Sequence, residues 1–155
     1  VKYAPANAQK PALRKFGQLE PEDLAYVQVS LDGGSAGSHD RIRGNGTFDT
    51  ALATTAELVR RGFDTRIICT VNQANRGDVL NLLGIADEAG VSLVKFHVFS
   101  AIGIGHGNPE LAMTPPEWVD FCGHLNEIAK NYQTRTRYQP TYAWRDQMAR
   151  YQAEG

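Results

Sequence analysis

Cysteine is scarce in this chain: 155 residues hold two, Cys69 and Cys122. Two thiols make one cross-link at most, so neither a disulfide framework nor a cysteine-only metal site can be built from them. A dominant charge is also missing. Lys and Arg number 16 against 17 Asp and Glu, for a net charge of −1, and no dense basic run suggests a nucleic-acid surface or a polybasic membrane contact. Long apolar runs are absent: the stretch at residues 27–31 is broken by polar positions and falls far below the ~20 residues of a membrane helix. No charged-then-apolar leader opens the chain. These absences predict a cytoplasmic setting, with neither nucleic acid nor membrane as partner. His39, His97, His106 and His124 share no ligand spacing, so no metal site is predicted. What is present suits one folded unit, because 42% of the residues are hydrophobic and the length serves one core but not two. The first residue is Val1 rather than methionine, and we expect a piece of a longer protein.

Three cycles of strand and helix can be read along the chain. Residues 1–18 carry prolines and polar residues without a period and read as an irregular lead-in. Residues 26–31 form a compact β-rich run ending at Asp32-Gly33-Gly34. Residues 35–47, with Gly37, Gly44, Gly46 and the cluster His39-Asp40-Arg41-Ile42-Arg43, read as a long functional loop. Phe48, Leu52, Ala56 and Val59 recur at helical spacing up to Gly62. The cycle repeats with a strand at 65–71 and a helix carrying Val79, Leu82, Leu83, Ala86 and Ala89. It repeats again with a strand at 92–99, a glycine-rich loop at 103–107, and a helix opened by the capping box Thr114-Pro115-Pro116-Glu117. Trp118, Phe121, Cys122, Leu125 and Ile128 share one stripe of that helix. In the tail, 132–155, Thr134, Thr136 and Tyr138 alternate with arginines like an edge strand, and 143–153 has a helical pattern. Successive βα units imply parallel strands joined by right-handed crossovers, an α/β fold.

Side chains alternate across a strand, so each strand has two faces. Val27, Val29 and Leu31 oppose Tyr26, Gln28, Ser30 and Asp32; Ile67, Cys69 and Val71 oppose Arg66, Ile68, Thr70 and Asn72; Val94, Phe96 and Val98 oppose Lys95 and His97. One face is apolar, where helices of successive right-handed crossovers all pack, and the other is polar. A doubly wound sheet buried on both faces reads apolar on both, so that fold is disfavoured. A barrel segment with a polar lumen and a two-layer sheet with one wet face both remain. Either puts Ser30, Asp32, Thr70 and Asn72 near the carboxyl ends of parallel strands, where α/β proteins place their sites.

The run Val27-Gln28-Val29-Ser30-Leu31-Asp32-Gly33, followed by His39-Asp40-Arg41-Ile42-Arg43-Gly44 and Gly46-Thr47-Phe48, resembles the fourth strand and following segment of radical S-adenosylmethionine (SAM) enzymes. It is nearest to members with a cysteine-rich C-terminal extension. Cys69-Thr70-Val71-Asn72 with Asn75 resembles the fifth strand. Val94-Lys95-Phe96-His97, with the 103–107 loop and Thr114-Pro115-Pro116-Glu117-Trp118, resembles the sixth strand and last helix. The resemblance covers 19–131 and implies three consecutive βα units, the C-terminal half of a partial (β/α)6 barrel akin to a TIM barrel. It implies that Ser30 and Asp32 lie beside the ribose and amino-acid portion of SAM, and that Arg43 pairs with its carboxylate through a planar fork. Thr70 and Asn72 would approach the ribose or adenine, and Lys95 and His97 would be substrate-side groups in the lumen. The implied chemistry is one-electron reduction of SAM by a [4Fe-4S] cluster, giving a 5′-deoxyadenosyl radical that takes hydrogen from a peptide, protein or small-molecule substrate.

The family's Cys-x3-Cys-x2-Cys motif does not occur here. Three thiolates are needed to hold the cluster, so its ligands are expected in a missing N-terminal half, and this chain alone is expected to be inactive. Cys69 and Cys122 sit at core positions and read as buried thiols. Gly103-x-Gly105-x-Gly107 lies too far ahead of its helix for a dinucleotide fingerprint. A half barrel leaves the strand at 26–31 with one free edge, which predicts self-association or coverage by residues 1–18. The competing reading is a catalytically silent βα module that binds a nucleotide or a protein. An ordinary aldolase or isomerase barrel would need a lysine and carboxylate pairing at the strand ends that is not evident.

Overall fold

A computed structural model describes residues 17–138. Four strands, β1 (Val27–Ser30), β2 (Thr65–Val71), β3 (Leu93–Val98) and β4 (Arg135–Tyr138), lie side by side in chain order. All three pairings are parallel, so each needs a crossover. Helices α1 (Ala36–Arg43) and α2 (Thr47–Arg60) link β1 to β2, α3 (Leu82–Glu88) links β2 to β3, and α4 (Pro115–Ala129) links β3 to β4. The architecture is α/β, as the repeated strand-helix cycle requires.

Alternation decides which way each strand faces. In β2, Thr65, Ile67, Cys69 and Val71 are buried while Arg66, Ile68 and Thr70 are half-buried. One hydrophobic cluster joins Ile67, Val71, Val94 and Phe96 of the sheet to Leu52 of α2, Leu82 and Ala86 of α3, and Trp118, Phe121 and Leu125 of α4. These helices therefore cover one face. Trp118 stacks on Phe121 with ring centroids 5.3 Å apart, and Phe121 meets Phe96 edge-on at 5.7 Å. Each such fully buried side chain contributes about 1.5–3 kcal/mol.

The region 35–47 departs from the sequence expectation of a long loop, because its first part is the helix α1. Ser35 caps it by accepting the Ser38 N–H at 3.3 Å, and Gly44 ends it at φ 103°. Its buried residues are Ser38 and His39, so it carries no apolar stripe from which a period can be read. The first turn of the expected helix at 79 is a 3-10 turn, Val79–Asn81, and the α-helix starts at Leu82. The glycine-rich loop is a 3-10 turn, Gly103–Gly107, followed by a second, Pro109–Leu111. The Thr114 capping box is present with Pro115 in the first helical position. Glu117 of that box also accepts from Gln73 Nε2 at 2.9 Å and pairs with Arg76 at 2.7 Å, which ties the segment after β2 to α4. In the tail, β4 joins the sheet beside β3. The helix expected at 143–153, and 1–16 of the lead-in, lie outside the described residues.

Candidate functional site at the polar sheet face

Register turns the polar face into rows. Ser30, Ile68, Lys95 and Arg137 form one row across all four strands. Thr70 and His97 form the next row toward the carboxyl ends. Gln28, Arg66, Leu93 and Arg135 form the row on the other side.

Asp32, just beyond β1, is 2% exposed and fully engaged. Its Oδ1 accepts the Thr70 N–H at 2.7 Å, and its Oδ2 accepts Arg43 Nε at 2.5 Å. Its own N–H donates to His39 Nδ1 at 2.9 Å, and its carbonyl accepts from Asn75 Nδ2 at 2.9 Å. A buried carboxylate needs such partners, since an unpaired charge there is costly. The arginine uses only Nε in this pair. Among the described residues its two terminal nitrogens make no hydrogen bond, and its side chain is 41% exposed. Arg43 is the last residue of α1, and its long side chain spans the distance to Asp32 at the strand end.

Asn72 and Asn75 hold the turn after β2. Asn75 Oδ1 accepts the Asn72 N–H at 2.8 Å, Asn72 Oδ1 accepts the Ala74 N–H at 2.8 Å, and Asn75 Nδ2 also donates to the Thr70 carbonyl at 2.8 Å. Asn72 Nδ2 reaches the same carbonyl at 3.4 Å. Thus Asp32, Arg43, Thr70 and Asn72 come together in one network. Ser30 lies one row below Thr70, and among the described residues neither hydroxyl has a side-chain hydrogen bond. Lys95 and His97 lie on β3, on the same face. His97 Nε2 is buried without a partner among the described residues, and burial, then the nearby Lys95 charge, lowers its pKa below the usual histidine value.

Sequence reasoning did not assign roles to His39 and Asn75, although both are 1% exposed and hold Asp32 in place. The spacing Asn72-x-x-Asn75 signals an Asx turn, whereas the reach from Asn75 to Asp32 requires the fold. Both cysteines are buried. Burial pushes the Cys69 thiol well above its ordinary pKa and the Cys122 thiol up to about 12, so neither offers a thiolate. Among the described residues no three His, Cys, Asp or Glu side chains gather to hold a metal, and these residues do not fit an iron–sulfur cluster. No helix among them is long and apolar enough to cross a membrane.

A parallel sheet with its crossover helices on one face and polar rows on the other fits an open segment of a βα barrel whose inner face is not filled as core. The chain is 31% identical over 114 residues to the AdoMet-dependent heme synthase of Methanosarcina barkeri, covering 73% of this chain and 32% of that protein. It is 35% identical over 77 residues to the mycofactocin maturase MftC of Mycobacterium ulcerans, covering 49% and 21%. Streptococcus suis SuiB, solved bound to its precursor peptide SuiA, superposes with a TM-score of 0.62 at 9% identity, over 72% of this chain and 26% of that one; that likeness concerns the fold. No protein-family model matches the chain. These sequence relatives indicate the radical SAM superfamily. The chain spans about a third or less of the length of the heme synthase and the maturase.

Proposed function

We propose that this chain is the C-terminal half of the partial barrel of a radical SAM enzyme and that its part in the reaction is to bind SAM and border the substrate. The observation that carries the reading is Arg43, held by a buried carboxylate through Nε alone, with its terminal nitrogens open at the carboxyl rim of the sheet. A guanidinium fixed at one corner is preorganised to take a carboxylate with its remaining donors. The hydroxyls of Ser30 and Thr70, without a hydrogen-bond partner among the described residues, suit ribose hydroxyls, which both donate and accept. Asp32 serves as the positioning residue for Arg43, and Asn72 and Asn75 fix the backbone of the rim. SAM bound here supplies one-electron radical chemistry to the parent enzyme. The cluster ligands belong to the half of the protein outside this chain. The sequence relatives are a mycofactocin maturase and a heme synthase, so the substrate is not fixed by kinship.

The test is equilibrium dialysis of labelled SAM against the anaerobically purified full-length protein, with iron content measured in parallel. Arg43→Met should weaken SAM binding by about ten-fold or more and Arg43→Lys by less, since a lysine loses the planar fork but keeps the charge that methionine lacks. Thermal melts confirm that both variants fold. Unchanged SAM affinity in a folded Arg43→Met protein would remove Arg43 from the site. SAM binding in a protein with no iron would leave a silent nucleotide-binding module.

A further inference from the structure

The middle and lower rows of the polar face are unusually rich in positive charge. Lys95 and Arg137 are direct neighbours in the register of β3 and β4, with backbones about 4.8 Å apart. Arg66 and Arg135 follow one row toward the strand amino ends. Among the described residues no strand position on this face is Asp or Glu. Asp64, just before β2, compensates Arg66 at 2.6 Å and lies within electrostatic reach of Arg135. Lys95 and Arg137 have no ion-pair or hydrogen-bond partner among the described residues. A cavity of about 350 Å³ opens at the lower end of the face, lined by Arg66, Leu93, Arg135, Thr136 and Arg137. Self-repelling cations held side by side on a sheet cost stability unless an anion joins them.

We propose that this part of the face binds the carboxylates of the substrate, that Lys95 and Arg137 are its centre, and that the substrate class is a di- or polycarboxylate. The inference rests on the SAM reading for its orientation: the acid groups lie about 7–13 Å below the Thr70 and His97 row, two residues of strand per row. A substrate held there directs its other end toward Arg43. Arg137 can grip a carboxylate with two parallel bonds, and Lys95 adds a point charge beside it. The same chemistry is offered by a small polycarboxylic acid and by an acidic peptide.

The experiment is calorimetry on the full-length protein with four probes. Tricarballylate and an acetylated, amidated tri-glutamate peptide are the acids; propane-1,2,3-tricarboxamide and the tri-glutamine peptide are their neutral counterparts. SAM binding is measured alongside. The expected result is that at least one acid binds about ten-fold or more tighter than its neutral counterpart. Lys95→Gln and Arg137→Gln each reduce that preference, the double variant abolishes it, and SAM affinity stays within about two-fold. Preference confined to the peptide identifies an acidic peptide as the source, and preference confined to tricarballylate a small acid. Equal binding of acids and neutral probes, or a preference that survives in a folded double variant, overturns the proposal. A protein that fails to bind SAM yet loses its acid preference in the double variant would overturn the SAM reading and leave the anion site standing.

Discussion

His39 shows how much of the rim depends on one neutral ring. Its Nδ1 accepts the Asp32 N–H at 2.9 Å, so the acceptor nitrogen carries no proton and the ring is the Nε2–H tautomer. Burial pushes its pKa below the ordinary histidine value; the Asp32 and Asp40 carboxylates oppose this, and Arg43 adds to it. A folded-state pKa below the unfolded value of about 6.5 means that the unfolded chain binds the proton more readily as pH falls. Stability should therefore be level above about pH 7.5 and decline below about 6.5. His97 shifts in the same direction, so the contribution of His39 has to be isolated by substitution. His39→Asn keeps an acceptor near the Nδ1 position and removes the titration. Urea midpoints of the wild type and of this variant between pH 8 and 5.5 should show a shallower decline in the variant. Parallel curves would mean that His39 does not couple protonation to folding.

At the scale of elements, the tight entry from β1 into α1 has a specific requirement for glycine. A Cβ on Gly34 would lie 2.2 Å from the Asp78 carbonyl oxygen and 2.8 Å from Asn81 Cβ, and one on Gly33 would lie 2.2 Å from Ser38 Oγ. Backbone sits against backbone there, so α1 and the 3-10 turn after β2 are clamped to the strand end. Asp78 Oδ2 strengthens the clamp by accepting from Ser35 Oγ at 2.6 Å and Ser38 Oγ at 2.7 Å. Gly34→Ala should cost about 1–3 kcal/mol through overpacking. Gly37→Ala, in a helix with only Ser35 Oγ at 3.8 Å, should gain about 0.5–1 kcal/mol from helix propensity. Denaturant midpoints check the pair, and a neutral Gly34→Ala would show that the clamp yields. The same stretch marks where the sequence could and could not be read. β2 and α4 were legible because buried residues recur at periods of two and 3.6 and because Thr114 and Glu117 announce the helix start. Helix α1 was not legible, since Ser38 and His39 are its buried residues and no apolar period exists; only Ser35 and Gly44 at its ends signalled it. For the site, Ser30, Asp32, Thr70 and Asn72 were accessible from strand alternation, and Arg43 only from family resemblance. The row that joins Lys95 to Arg137 depends on the β3–β4 register, which no local pattern in either strand specifies.

At the scale of the molecule, β1 is an edge among the described residues, with β2 on one side. The Val27 and Leu31 N–H groups donate toward β2, to Asp64 at 2.8 Å and Ile68 at 3.0 Å. In a parallel pair successive residues point their peptide groups to opposite sides, so Gln28 and Ser30 direct theirs outward. Such a row of open donors and acceptors is a template for another strand. On the proposed reading that strand comes from the half of the barrel outside this chain, consistent with alignments that cover a third or less of each sequence relative. The 155-residue chain produced alone should therefore associate with itself as its concentration rises, read by light scattering coupled to size exclusion. Gln28→Pro removes one outward donor and leaves the β2 ladder intact, and edge strands tolerate proline, so this variant should shift the equilibrium toward monomer. A wild-type monomer at every concentration, with rapid amide exchange at Gln28 and Ser30, would show that the open edge does not drive association. A monomer with slow exchange at those two amides would mean that residues 1–18 cover the edge, which separates capping within the chain from pairing between chains.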